Sequence, residues 1–177
     1  MAEDTMPDLI TEYPQFFTVT CLGWKRLLQP DKYKTLVVES LRFLVVNNRV
    51  IVYGFVIMTN HLHLIWQMKG SHHPQDIQRD FLKFTGQQIK QDLLLHHPQV
   101  LEHFKVQAQD RHYQLWERNA LSVELRREIV LSQKLDYIHH NPVRAGLCIL
   151  PEAYHFSSAH FYETGKDNWG LLTHYKN

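Results

Sequence analysis

Alternating and helical spacings of apolar residues divide the chain into short elements. Tyr13–Trp24 (YPQFFTVTCLGW) is rich in aromatic and β-branched residues with threonines between them, bounded by Pro14 and Gly23, which is the pattern of a strand. From Pro30, with Asp31 in the first turn, DKYKTLVVESLRFLVVNN sets Leu36, Glu39, Ser40, Phe43 and Asn47 along a helical repeat that ends near Asn47 and Asn48. RVIVYGFVIM and HLHLIWQM follow as two apolar runs separated only by Thr59 and Asn60, a spacing that suits a tight hairpin of central strands. A second helix is expected from Pro74 to about His97, stopping before Pro98. Gly86 within it weakens it by up to about 1 kcal/mol relative to Ala. Arg111–Glu117 (RHYQLWE) alternates as another strand. Ser122 then caps a third helix whose buried side draws on Leu125, Ile129, Leu135 and Ile138, and Pro142 closes it.

The resulting order is strand, helix, strand, strand, helix, strand, helix. It predicts an α+β fold, a ferredoxin-like or RRM-like sandwich with an antiparallel sheet and helices packed on one face. The 177 residues, 44% of them hydrophobic, suffice for one sizeable core. A single domain over residues 1–177 is expected, with its core at about 13–146 and an irregular C-terminal tail over 147–177.

Charge narrows the function. With 19 Lys+Arg against 18 Asp+Glu, there is no global positive field, so any nucleic-acid binding must come from local patches. The longest apolar stretch, Val50–Met58, is nine residues long and interrupted by Gly54, whereas a membrane span needs about 20. The N-terminal MAEDTMPDL is acidic and lacks the order of a secretory signal, so no membrane association and a cytoplasmic location are expected. Cys21 and Cys148 fit neither a disulfide framework nor a cysteine metal site. Histidine is the unusual residue, at 13 copies.

Two of those histidines are placed for chemistry. His61 and His63 open the second hairpin strand, and the two-residue period sends both imidazoles to one face while Leu62 and Leu64 point to the other. A divalent cation held there needs a third protein group, with water or substrate oxygens completing an open shell. The alternative is two polar side chains on a wet sheet face.

LDYIHHNPVRAG supplies a tyrosine. At 100° per residue Tyr137 lies roughly 160–200° from the apolar stripe of its helix, so it does not face that helix's own core. Asn141, four residues on, shares its face and offers an amide oxygen to a metal, with His140 as the competing ligand. Asn141 ahead of Pro142 also suits a helix cap. A phenol with an ordinary pKa of about 10 needs cationic help to attack a phosphodiester. A metal at the histidine pair, or Lys134 one turn earlier, would provide it.

In this order FVIMTNHLHLIW, RDFLKFTGQQI, YQLWERN, LDYIHHNPVRAGL and YHFSSAHFY resemble the REP-associated tyrosine transposases, a group of the HUH single-tyrosine transposases, over about Tyr13 to Gly165. The resemblance implies Mg²⁺ or Mn²⁺ on a His-hydrophobic-His motif, here His61 and His63, with Asn141 as third ligand. It implies attack by the helix tyrosine, Tyr137, on single-stranded DNA to give a 5′-phosphotyrosine and a free 3′-OH. The substrate it implies is hairpin DNA formed by palindromic repeats. Thr59 stands where the family usually has proline, a departure that leaves both histidines in place.

Phosphate-binding candidates are Arg79, Lys83 and Lys90, which with Gln87 fall on one side of the second helix, and Lys25, Arg26, Arg118, Lys134 and Arg144. Trp24, Trp66 and Trp116 are candidates for stacking on unpaired bases, although Trp66 lies opposite the histidines and is expected in the core. The expected function is metal-dependent DNA cleavage and rejoining, and no GxxxxGK[ST] loop is present for ATP. Two other classes fit the residues, a hairpin-binding module without cleavage and a metal phosphodiesterase that uses water. The sequence admits a homodimer but assigns no apolar surface to it.

Overall fold

The hairpin at the centre of the sheet forms as its pattern predicts. In this computed structural model, which describes residues 13–177, β2 (Val50–Ile57) and β3 (His61–Met68) pair antiparallel across Thr59 and Asn60. The Met58 N–H donates to the His61 carbonyl at 2.8 Å, so the turn closes without a proline at Thr59. The N-terminal MAEDTMPDL reading lies outside the described residues. β1 (Gln15–Thr20) pairs with β3 on one side and with β4 (Leu121–Glu124) on the other, both antiparallel. The strand order is β2-β3-β1-β4. With α1 (Asp31–Val46) between β1 and β2, and α2 (Pro74–His96) between β3 and β4, this is the expected ferredoxin-like arrangement.

Alternation along the strands divides two cores. Phe17 and Val19 of β1 and Leu62, Leu64 and Trp66 of β3 pack with Val37, Val38 and Leu41 of α1 and Ile77, Phe81, Ile89 and Leu93 of α2. The intervening residues Phe16 and Ile65 face the other way and pack with Leu131, Leu135 and Ile138 of α4 (Glu128–Arg144). The expectation of helices on one face therefore holds for α1 and α2 but not for α4. A sheet with apolar residues at both parities must be covered on both sides, and α4 covers the second.

Several boundaries differ from the sequence reading. The first strand ends at Thr20, because Gly23 and Trp24 turn into left-handed backbone within a 3₁₀ turn, Leu22–Trp24. Arg111–Glu117 forms no strand, only isolated bridges from Tyr113 to Lys105 and from Trp116 to Cys21. Leu115 and Trp116 are adjacent and both buried, a departure from the one-sided alternation on which the strand reading rested. The fourth strand is instead Leu121–Glu124, so Ser122 lies in β4 and caps nothing, and α4 starts after Arg127. Leu125 is buried ahead of that helix, whereas Ile129 is exposed. A short α3 (Pro98–Leu101) follows α2.

Pro142 does not close α4 but lies inside it. The helix stops at Gly146, whose φ is +73°. The Gly146 N–H donates to the Val143 carbonyl and the Leu147 N–H to the Pro142 carbonyl, the paired bonds of a glycine-terminated helix. Asn141 is thus a residue of the last helical turns and not a cap. Residues 147–177 are irregular for most of their length but include α5 (Ala159–Thr164) and contribute Phe156 and Leu171 to the larger core. The core therefore extends past residue 146.

Candidate active site

Strand parity delivers the two histidines to the face that α4 covers. His63 pairs directly across the sheet with Thr18, whose Oγ1 is 2.7 Å from His63 Nδ1. Its ring stacks on Phe16 with centroids 5.3 Å apart. The His61 and His63 rings are 5.0 Å apart.

The tautomer of His61 follows from its neighbours. Asn60 Nδ2 is 3.3 Å from the Trp24 carbonyl, which can only accept. Asn60 Oδ1 must then face His61 Nδ1 at 2.7 Å, so Nδ1 carries the proton and donates it. His61 Nε2 is left with its lone pair, and Asn141 Nδ2 approaches it at 3.4 Å. The bond from Nδ1 to Asn60, on the ring nitrogen away from that lone pair, is of the kind by which proteins orient a metal-binding imidazole.

Burial keeps both rings neutral, the form a ligand needs. Desolvation pushes His63 down to about 3, helped by His61, Lys134 and Arg144, and pulls His61 below its ordinary value.

α4 supplies the rest. Lys134, Tyr137, Asn141 and Arg144 are spaced three, four and three residues apart, so they share one stripe. The Tyr137 ring lies 5.7 Å from that of His63 and 6.5 Å from that of Phe16, yet 47% of the residue is exposed, leaving it open to a substrate. Lys134 Nζ stands 4.8 Å from the Phe16 ring and 5.7 Å from the Tyr137 ring. The Arg144 guanidinium lies 4.8 Å over the Tyr137 ring and donates to the Tyr137 carbonyl at 2.7 Å. Two cations flanking a phenol beside neutral imidazoles form a local positive site that suits a phosphodiester.

Of the ligand candidates, Asn141 reaches His61, whereas His140 is exposed and its Nδ1 sits 2.9 Å from the Asp136 carbonyl of its own helix. Among the described residues no three His, Cys, Asp or Glu side chains converge on a metal site, and the Asn141 amide is the ligand candidate on α4 that reaches the histidine pair. Two imidazole nitrogens and an amide oxygen are donors that fit Mn²⁺ more readily than Mg²⁺, which favours oxygen. Rotating the Asn141 amide would present its oxygen.

Other candidates lie elsewhere. Arg79, Lys83 and Lys90 are exposed on α2, which packs on the opposite side of the sheet, and Arg79 is paired with Asp76 and Asp80. Arg118 is exposed and paired with Asp110 at 3.0 Å. Trp66 and Trp116 are buried, the latter bonded through Nε1 to Thr85, while Trp24 is exposed with its ring 5.9 Å from that of His61. Sequence reasoning missed Thr18, Phe16 and Asn60, since a register between β1 and β3 is needed to find the first two.

The fold can be compared with solved structures. Over 98% of this chain and 92% of the other, it superposes on a REP-associated tyrosine transposase solved bound to a REP hairpin, with a TM-score of 0.64 at 16% identity. The chain has the fold of a REP-associated tyrosine transposase. A transposase by assignment from Deinococcus radiodurans R1 matches over 79% of this chain and 95% of its own, with a TM-score of 0.48 at 13% identity. No protein-family model and no curated protein matches the chain. Within this REP-transposase fold, no helix of the described residues is long and apolar enough to cross a membrane.

Proposed function

We propose that the protein is a transposase that cleaves and rejoins single-stranded or hairpin DNA with Tyr137 as nucleophile. The observation that carries this reading is the meeting of Tyr137 with His63 and of Asn141 with His61, from one helix laid over the open sheet face. The REP hairpin bound by the structural neighbour supports hairpin DNA as the substrate. His61, His63 and Asn141 would hold Mg²⁺ or Mn²⁺, which would supply polarisation of the scissile phosphate and stabilisation of charge on its oxygens.

The chain's own groups do the remaining work. The Tyr137 oxygen forms a bond to phosphorus as the bond from phosphorus to the 3′ oxygen breaks. The phenolic proton leaves to solvent and the departing 3′ oxygen takes up a proton. The products are a 5′-phosphotyrosine and a free 3′-OH, so the bond energy is retained and the 3′-OH of another strand reverses the step. Lys134 and Arg144 offset the negative charge that gathers around the phenol.

Incubation with labelled single-stranded and hairpin oligonucleotides and Mn²⁺, resolved on a denaturing gel, is expected to give a protease-sensitive adduct that Tyr137→Phe abolishes. Cleavage that persists in Tyr137→Phe overturns the tyrosine mechanism in favour of water as nucleophile. Binding without cleavage by the unaltered protein reduces the function to hairpin recognition.

A further inference from the structure

Beside His61 the backbone adopts a conformation that a side chain disfavours. Gly23 and Trp24 are both left-handed, with φ of +59° and +57°, and glycine tolerates this where tryptophan is strained. Burial does not explain Trp24, because 64% of it is exposed while Trp66 and Trp116 are buried in the core. The turn is nevertheless fixed from both sides. The Gly23 N–H donates to Glu117 Oε1 at 2.7 Å, the Cys21 N–H donates to the Asn60 carbonyl at 2.8 Å, and Asn60 Nδ2 donates to the Trp24 carbonyl. Asn60 also orients His61, so one side chain ties the position of the indole to the candidate metal ligand. Arg26, two residues on, is exposed.

We infer that Trp24 is a stacking platform for an unpaired nucleobase of the strand whose phosphate is presented to Tyr137, so that it selects single-stranded over duplex DNA at the cleaved step. The inference rests on the proposed function and adds a determinant of specificity to it. An exposed aromatic ring carried on a fixed turn beside His61 offers a face to any base. A paired base within a duplex has both faces covered by its neighbours and gains nothing from it. Arg26 is placed to meet the backbone of the same strand.

The test measures binding of single-stranded oligonucleotides to the full chain carrying Tyr137→Phe, which prevents turnover, with an abasic nucleotide stepped along the strand. Trp24→Ala is expected to weaken single-strand binding roughly 5- to 150-fold, Trp24→Phe to retain most of it, and blunt duplex binding to stay unchanged. At one position the abasic nucleotide weakens binding to the Tyr137→Phe protein by a similar factor and has no further effect once Trp24→Ala is present. Trp24→Gly, which suits the left-handed backbone, melts at or above the wild-type temperature, and Mn²⁺ affinity is unchanged in all three variants, results that a purely structural role would not give. The inference is overturned if Trp24→Ala binds as tightly as its parent, if its loss extends equally to duplex, if the two losses multiply at every position, or if the parent binds no single strand. Adduct formation by the protein with Tyr137 intact is a separate readout. Coupling to the abasic site without any adduct would sink the nucleophile and keep the platform, and the reverse would sink the platform alone.

Discussion

Thr18 and His63 face each other across β1 and β3, and the hydroxyl of one lies 2.7 Å from Nδ1 of the other. His63 is only 6% exposed, so this hydroxyl is the polar partner that the near side of the ring has in the core. When it accepts the Nδ1 proton, Nε2 keeps its lone pair, on a ring that lies 5.7 Å from that of Tyr137. Cross-strand register thus sets the direction in which a candidate ligand points.

Thr18→Val keeps the shape and removes that partner. Leaving a buried polar group unsatisfied costs about 1–3 kcal/mol, and loss of an orienting bond behind a ligand typically costs 10- to 100-fold in metal affinity. We expect both effects, read by thermal melting and by Mn²⁺ calorimetry, with Thr18→Ser close to wild type. Unchanged Mn²⁺ affinity in Thr18→Val would show that the threonine does not orient the ring.

Adjacent residues on α4 should behave differently. Asn141→Ala is expected to reduce Mn²⁺ affinity by at least about tenfold, since the remaining donors are two imidazoles. His140→Ala is expected to leave it unchanged, because that ring bonds to its own helix at Asp136. Titrating free Mn²⁺ by electron paramagnetic resonance separates the two, and equal losses would rule out the assignment to the amide.

Much of this site was legible before the structure. The two-residue period alone puts His61 and His63 on one face, and the helical period alone takes Tyr137 off its own apolar stripe. Long, strongly patterned elements such as β2, β3 and α2 fall where their spacing puts them. β4 was hidden because it has only four residues, Leu121 to Glu124, too few for the alternation of Leu121 and Val123 with Ser122 and Glu124 to stand out, and all four are exposed at the sheet edge. Pro142 misled because the residue before a proline is only biased away from helix, and the effective stop is Gly146 four residues later. The face of the sheet that each helix covers was not legible. That is why the basic stripe on α2 was grouped with the site although the sheet lies between them.

Cys21 makes a prediction about alkaline pH. It is fully buried, and desolvation pushes its thiol up to about 12 from 9.0. The folded state therefore keeps a proton that the unfolded chain loses near pH 9. Stability is complete below that pH and falls as pH rises toward 12, by about 1.4 kcal/mol per pH unit for one proton. Urea midpoints between pH 8 and 10.5 should decline, and Cys21→Ala should flatten the slope even if it lowers stability at every pH. An aromatic disulfide reagent should find the partly exposed Cys148 in the native protein and Cys21 only in urea. A slope unchanged by Cys21→Ala would refute the assignment.

Gly54 tests whether the seating of α4 governs the site. The pairing of β2 with β3 steps from Val52–Trp66 to Gly54–Ile65, a bulge that turns Gly54 toward α4. A β-carbon there would fall onto Leu135 Cδ2, 3.3 Å from Ser158 Oγ and 3.5 Å from Ile138 Cδ1. Overpacking of this kind costs about 1–3 kcal/mol; Leu135 is buried in one cluster with Phe16, Val56, Ile65 and Ile138, so the contact is relieved by crowding those neighbours or by moving α4 away from the sheet. Tyr137 and Asn141 ride on the same helix, and misplacing reacting groups by about 1 Å costs on the order of 100-fold in rate. Gly54→Ala is therefore expected to lower adduct formation by about two orders of magnitude while the protein remains folded. Leu135→Ala removes the side chain that the new methyl meets, so the double variant should form adduct faster than Gly54→Ala alone even though Leu135→Ala by itself costs about 2–5 kcal/mol. Such a rescue requires that the two positions couple through helix placement. Simple addition of the two losses would mean that Gly54 serves the strand and not the helix above it.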